Sequence, residues 1–426
     1  MRIIYSLVFY FLIPFLLLRL LWRGFKSPEY LRRWNERFAW YPKKIPPHDI
    51  WFHAVSVGEA ETLFPLVKRL QQAYPDIKLL VTTTTPTGSA RVRAVLKDSV
   101  SHVYLPYDFP GAVNRFLKQF KPRIAVILET EIWPNLFAAC GANNAKLVII
   151  NACLSESSAR GYQKISALIR PAISIVTHIS AQTKEDAARF IAIGAPAQRV
   201  EVIGNLKFDV EVGQQVIDQG LAIKKAQFLG RFVWVLGSTH KDEEVQFVEI
   251  YRQLKKQIPE LLLVVVPRHP ERFETVKGLF EQQNFEVITR SSMQQCHAGI
   301  DVYLVDTMGE LKTFYAAADV AFVGGSLVPI GGHNILEAAA VGVSVMVGPF
   351  VDNIKEIVAA ALSAESLIQC RNAEDIVEAV LNIYQQPSYK NALIENGKAF
   401  ITANRGVTAS VFTTLISLIK PESEHQ

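Results

Sequence analysis

The chain has 426 residues, half of them hydrophobic, with a net charge of +5 and a mean hydropathy of +0.17. That length points to two domains of ordinary size. The modest charge, with no zinc-finger, RNA-binding or helix-turn-helix pattern, gives no reason to expect a nucleic-acid partner. The four scattered cysteines and nine histidines lack any C-x-x-C, H-x-x-x-H or H-E-x-x-H spacing, so no metal cluster is expected and the thiols fit a reducing compartment.

In chain order the first feature is an apolar run. Residues 3–18 carry no charge, and the apolar character continues through Leu21, broken only by Arg19. This is roughly the minimum length of a membrane span. Tyr5, Tyr10 and Trp22 supply interfacial aromatics. Arg19, Arg23, Lys26, Arg32, Arg33, Arg37, Lys43 and Lys44 follow, which puts the body of the protein on the cytoplasmic side. No small-residue cleavage site follows the run, so residues 1–22 are expected to be an uncleaved anchor rather than a signal peptide. Pro14 leaves room for a kinked or in-plane helix. The basic stretch to Lys44, interleaved with Trp34, Phe38, Trp40 and Tyr41, suits an anionic lipid surface.

A first set of strands is predicted at residues 49–55, 78–83, 103–105, 124–128, 147–150, 178–180 and 200–203, with helical patterns between several of them. The first strand runs into Ser56-Val57-Gly58-Glu59 and then a helix. The second enters a hydroxyl-rich loop at residues 83–89. The fourth ends in Glu129-Thr130-Glu131-Ile132-Trp133-Pro134-Asn135, an acidic and aromatic strand end with the look of a site edge. The seventh runs into Gly204-Asn205-Leu206-Lys207-Phe208-Asp209. The pattern then restarts, with strands at 232–236, 261–266, 285–288, 302–304, 320–323 and 343–347. The remainder, residues 354–418, reads mainly helical, and 422–426 is a polar tail. Residues 320–349 carry the most local information. There a strand breaks into Gly324-Gly325, then Gly331-Gly332-His333-Asn334, and enters a helix at Ile335. A loop opening onto a helix N-terminus suits a phosphate, although an ordinary strand-to-helix turn reads the same way.

Two successive sets of alternating strands and helices predict two parallel-sheet α/β domains, at 23–210 and 211–420. Open sheets of this kind place ligands at the carboxyl ends of their strands. The loops at those ends are expected to face a shared cleft, with a nucleotide-bearing donor held by one domain and an acceptor by the other.

Eight motifs in this order resemble the 3-deoxy-D-manno-octulosonic acid (Kdo) transferases of glycosyltransferase family 30. They are HAVSVGE (53–59), ETEIWPN (129–135), NACLSESSARGY (151–162), GNLKFD (204–209), GSTH (237–240), PRHPER (267–272), DTMGEL (306–311) and GGSLVPIGGHNILEAA (324–339). The resemblance runs from the N-terminal run to about residue 400. It implies the GT-B fold of two Rossmann-like domains. It also implies inverting transfer of Kdo from CMP-Kdo to a lipid A precursor (lipid IVA) at the cytoplasmic face of the inner membrane, in lipopolysaccharide core synthesis. The sequence departs from the family pattern where arginines are usual, at Cys153 and Ser157. It departs again after GSTH, where Lys241-Asp242-Glu243-Glu244 lacks a usual glycine.

Inverting transfer needs a base on the acceptor hydroxyl and positive or dipolar help for the departing phosphate. Glu59, a carboxylate after a glycine turn at a strand end, fits the base, and the resemblance implies that role for it. Its alternative is a helix-capping glutamate. The resemblance links Glu129 and Lys207 to transition-state stabilisation. On the residues alone Glu131 rivals Glu129. Arg268, just after a strand, suits phosphate pairing. The segments Pro267-Arg268, Met308-Gly309-Glu310 and Asn334-Ile335-Leu336-Glu337 match the family's CMP-binding positions. His333 reads as a loop residue. A leaving group with one phosphate needs no metal, so no cofactor is expected beyond the donor CMP-Kdo. The competing readings are another enzyme of the same fold, such as a nucleotide-sugar epimerase, and a membrane-anchored binder of sugar nucleotides without activity.

Overall fold

The computed structural model describes residues 1–41, 46–210 and 212–419. Lys43, Lys44, the tail at 422–426 and the side chain of Lys26 lie outside the described residues. The chain forms two compact units, Met1–Lys207 with Gly406–Gln426, and Phe208–Arg405.

The first unit is built on seven parallel strands, β1 (Ile50–His53), β2 (Leu79–Thr83), β3 (Ser101–Tyr104), β4 (Ile124–Leu128), β5 (Lys146–Ala152), β6 (His178–Ala181) and β7 (Val200–Val202). Their order is β3-β2-β1-β4-β5-β6-β7. Alternate side chains feed opposite faces. Trp51, Ala125, Ile127, Leu147 and Ile149 enter one core. Ile50, Phe52, Val126, Val148 and Ile150 enter the other. Burial on both faces explains why the central strands β4 and β5 read as nearly unbroken apolar runs.

The second unit repeats the plan with β8 (Phe232–Thr239), β9 (Leu261–Pro267), β10 (Val287–Thr289), β11 (Val302–Leu304), β12 (Val320–Val323), β13 (Ser344–Val347) and β14 (Leu367–Gln369). These are ordered β10-β11-β9-β8-β12-β13-β14. Strand β14 lies inside the stretch expected to be mainly helical. It is three residues long and pairs only with β13, too short to carry a periodic signal.

The expected domain limits also shift. The division falls after Lys207, and the last helix, Val407–Ile419, belongs to the first unit instead of the second. Its Val407, Val411 and Leu415 are buried in the core that holds Phe52 and Leu63. At its end, Lys146 Nζ and Arg123 Nη2 donate to the carbonyls of Leu418 and Ile419 at 2.8 and 2.6 Å. Cations at a helix C-terminus satisfy its unpaired carbonyls and oppose its dipole.

The N-terminal run is not one long helix. Helices Arg2–Phe11 and Ile13–Lys26 meet at Leu12 with a bend of 51°. Pro14 has no N–H to offer the carbonyl of Tyr10, which breaks the ladder there. No single helix among the described residues is long and apolar enough to cross a membrane; the bent pair together meets that test by length and composition. The basic stretch is only partly available to lipid. Arg37 is buried, donates to the Thr84 carbonyl at 2.9 Å, and lies over the Tyr104 ring. Arg33 pairs with Glu36 at 2.6 Å and also lies over Tyr104.

Candidate active site

In an open parallel sheet the chain leaves a crevice where strand order reverses, because the connections on either side run in opposite directions. In the first unit that reversal lies between β1 and β4. The loop after β1 brings Glu59, and the loop after β4 brings Glu129 and Glu131.

Glu59 sits in the first turn of helix Val57–Ala73 and is 9% exposed. Its Oε2 accepts the Val55 N–H at 2.8 Å, and the Ser56 hydroxyl approaches Oε1 at 3.5 Å. Burial pushes its carboxyl up to about 8. The Val55 N–H opposes that rise, while the charges of Glu129 and Glu131 add to it. A carboxylate that serves only as a cap gains from its N–H partners and ionises easily. Glu59 is held in the opposite state, with a high proton affinity next to two further acids.

Glu129 adopts a left-handed backbone, φ 60°, which is costly for a residue with a Cβ. Its N–H donates to the Ile150 carbonyl at 3.0 Å. Lys207 Nζ lies 3.8 Å from Glu129 Oε1. Glu131 accepts from Trp133 Nε1 at 2.8 Å, and burial raises its proton affinity. The two acids that the residues alone left as rivals therefore have different neighbours, a lysine for Glu129 and an indole for Glu131.

Lys207 is positioned by a chain of amides from three adjacent strand ends. Asn151, next to last in β5, has φ 52°, and its Oδ1 accepts the Leu206 N–H at 2.9 Å. Gln182, just past β6, donates to the Asn151 carbonyl at 2.9 Å and accepts from Asn205 at 2.8 Å. Asn205 Oδ1 in turn accepts the Lys207 N–H at 2.9 Å. The sequence reading missed these amides; the only signal for them was polar residues at the ends of apolar strands. Cys153 Sγ, in place of a usual arginine, lies 3.8 Å from the Thr130 hydroxyl. Ser157 is in a cluster of hydroxyls with Ser155 at 3.0 Å.

In the second unit the reversal lies between β8 and β12. Arg268 follows β9, and its N–H donates to the Thr239 carbonyl at 3.0 Å. Around it stand three histidines. His240 and His333 face each other with Nε2 atoms 2.7 Å apart and rings nearly parallel, and His269 meets His240 edge-on at 5.4 Å. Burial, with the neighbouring histidines and Arg268, pushes His333 down to about 4. His240 is lowered too, by burial first and then by His269, Arg268 and Arg272. The lowered values leave these two imidazoles neutral at pH 7, so Arg268 is the standing positive charge here, and an anion beside it would raise the proton affinity of the two histidines. His333 therefore sits in its loop against His240, with Arg268 and His269 nearby. Among the described residues no group of three His, Cys, Asp or Glu side chains is arranged to hold a metal ion.

The glycine loop after β12 turns its first amides inward. The amides of Gly325, Ser326 and Leu327 do not face outward for a phosphate. They donate to the carboxylate of Glu243 at 2.9, 3.1 and 2.9 Å, with the His240 N–H also donating at 3.1 Å. Glu243 is wholly buried; burial raises its proton affinity, and the N–H groups of Gly325, Leu327 and His240 oppose that rise. Further along, Gly331 and Gly332 turn the chain with φ of 102° and 78°. Asn334 Oδ1 then accepts the Leu336 N–H at 3.0 Å, before a helix of only six residues, Leu336–Val341. Ile335 and Leu336 are buried in the core, so side-chain recognition at this segment is left to Asn334 and Glu337. Glu337 lies 3.7 Å from Lys312, and Glu310 pairs with Arg290 at 3.0 Å and with Thr307. Gly309 has φ 89°, Met308 is exposed, and Pro267 ends β9 in the sheet.

Residues 32–210 match the family described as 3-deoxy-D-manno-octulosonic-acid transferase, and residues 235–400 match glycosyl transferases group 1. A 3-deoxy-D-manno-octulosonic acid transferase of Haemophilus influenzae is 37% identical over 402 residues, covering 94% of this chain and 93% of the relative. Among solved structures, a glycosyltransferase from Rickettsia africae aligns with a TM-score of 0.57 at 12% identity, over 89% of this chain and 100% of that one. A UDP-GlcNAc 2-epimerase from Neisseria meningitidis gives 0.56 at 16%, over 87% and 100%. These two likenesses concern the fold, which is the two-sheet GT-B arrangement expected from the motifs.

Proposed function

The chain belongs to the Kdo transferase family of glycosyltransferases, and from that premise we propose that it transfers Kdo from CMP-Kdo to a lipid A precursor with inversion at the anomeric carbon. The observation that carries this reading is Glu59, a buried carboxyl of raised proton affinity beside Glu129 and Glu131 at the first sheet's reversal point. In the ionised form Glu59 takes the proton of the acceptor hydroxyl as that oxygen bonds to the anomeric carbon. The bond from that carbon to the CMP phosphate oxygen breaks, and its electron pair leaves with CMP. Lys207, held against Glu129, offers positive charge to the Kdo carboxylate or to the developing phosphate charge. On the second unit, Arg268 with His240, His269 and His333 receives the phosphate, while Met308-Gly309-Glu310, Asn334 and Glu337 bind the nucleotide. One phosphate met by a guanidinium and imidazoles needs no metal to leave. The acceptor is a lipid, so the enzyme is placed at the cytoplasmic face of the inner membrane through its first 22 residues, in lipopolysaccharide synthesis.

The test is to incubate the protein with CMP-Kdo and tetraacylated lipid A precursor and to read the mass of the lipid. A gain of one or two Kdo units is expected. No gain in mass, or activity with UDP-sugars only, would sink the proposal.

A further inference from the structure

The two N-terminal helices present an apolar stripe with no protein against it. Ile3, Leu7, Phe11, Phe15, Leu18 and Phe25 recur every three or four positions, except for one double step spanned by Trp22, and are 60–89% exposed. The stripe therefore runs along one side of both helices, across the bend. The opposite side is committed to the first unit. Tyr5 donates to Asp108 at 3.0 Å and Ser6 donates to Asn135 at 3.0 Å. Tyr10 stacks on Phe109 at 5.3 Å. Phe9, Ile13 and Leu16 pack on the core, and Leu20 is buried.

A helix that crosses a bilayer meets hydrocarbon on all sides, and its polar groups need partners within the span. Here the first helix is tied by a hydrogen bond from Tyr5 to Asp108, which is 3% exposed and also accepts the N–H groups of Asn135 and Leu136 at 3.0 and 2.7 Å. Pulling the helix into a span would strand that buried acid without its tyrosine. At 1.5 Å per residue the helices of 10 and 14 residues are about 15 and about 21 Å long, each short of a hydrocarbon core of about 30 Å. The exposed charges around the stripe are mostly positive. Residues 1–26 contain no acid, and Arg2, Arg19, Arg23 and Arg32 are exposed; of the nearby acids Glu29 is exposed, while Glu36 is buried against Arg33 and Asp108 is buried under Tyr5. An apolar stripe flanked by arginines matches an anionic leaflet, with the chains below and the phosphates level with the cations.

We propose that the two helices lie in the plane of one anionic leaflet, docked on the first unit, so that both ends of the segment are on the same side of the membrane. This rests on the membrane placement proposed above. The seat is also joined to catalysis: through Asp108 and Asn135 it holds the start of helix Pro134–Ala142, directly after the loop of Glu129 and Glu131.

The full chain is expressed in bacteria with Arg2→Cys or Ser27→Cys. Right-side-out and inverted membrane vesicles are treated with an impermeant maleimide, and the modified peptides are identified by mass. Both cysteines are expected to react in inverted vesicles only. Reaction of Arg2→Cys from the opposite side to Ser27→Cys overturns the in-plane arrangement while leaving membrane placement standing, whereas a chain absent from the membrane fraction overturns both. In a second arm, purified chain is floated with phosphatidylglycerol/phosphatidylcholine vesicles. Leu7→Glu with Phe11→Glu is expected to cut vesicle binding at least tenfold with the thermal melt unchanged. Unchanged binding, or a stripe that buries itself in a lipid-independent dimer, overturns the proposal.

Discussion

Burial holds the Glu59 carboxyl up near 8 from an ordinary value of 4.5, and the same shift acts on rate and on stability. As the proposed base Glu59 must be ionised, so kcat/KM for transfer is expected to rise with pH through about 8 and level off above it, measured as a pH profile at substrate concentrations well below KM. Glu59→Gln keeps an oxygen for the Val55 N–H but no base, and the rate falls by about a hundredfold or more while CMP affinity is kept. For stability the sign runs the other way. Between about 4.5 and about 8 the folded chain binds more protons than the unfolded one, so this group lowers stability as pH climbs through that window. Glu59→Gln therefore raises the urea midpoint at pH 9 and leaves it nearly unchanged at pH 4. Lys207 gives a different split. Its pair with Glu129 is about one-third exposed, and exposed pairs contribute roughly 0–1 kcal/mol. Lys207→Ala then changes stability little and lowers transfer strongly; a fall in melting temperature matching the fall in rate would identify a structural role instead.

Glu243 and the loop after β12 are one element in physical terms, because four backbone N–H groups end on one carboxylate. Glu243→Ala leaves those donors buried and unpaired, at about 1–3 kcal/mol for each group left unsatisfied. The variant is expected to show an earlier thermal transition of the second unit and loss of CMP binding, read by calorimetry. Gly324→Ala tests the same element from the other side. A Cβ there would stand 2.6 Å from the Ser238 carbonyl oxygen and 2.9 Å from that of Gly237, and backbone cannot yield as a side chain does. It too should weaken CMP binding; unchanged affinity would mean that the loop tolerates a shift. The glycines were legible in the sequence, but their duty was not. They bring backbone amides onto an internal acid and allow β8 and β12 to leave the sheet side by side.

At the scale of the whole molecule, the return of helix Val407–Ile419 to the first unit closes that unit's second core. Removing residues 406–426 takes Val407, Val411 and Leu415 out of that core and Phe412 away from Tyr74 and Arg69, and should lower the unfolding transition of the first unit while leaving that of the second in place. Equal loss in both transitions would contradict this. The amino-acid sequence by itself determined every described strand but β14, since apolar runs in the sheet interiors announce themselves locally. It also determined the loops that carry the acids and Arg268, and the family, since those loops keep their order along the chain. Tertiary structure alone decided the order of strands, and with it the reversal points that bring Glu59 to Glu129. It paired His240 with His333, 93 positions away, gave the amides of the glycine loop to Glu243, and turned the apolar run at the N-terminus into a bent, docked pair of helices. Propensity and pattern act over a turn or a strand, whereas burial, shared protons and charge depend on what distant segments bring to the same place.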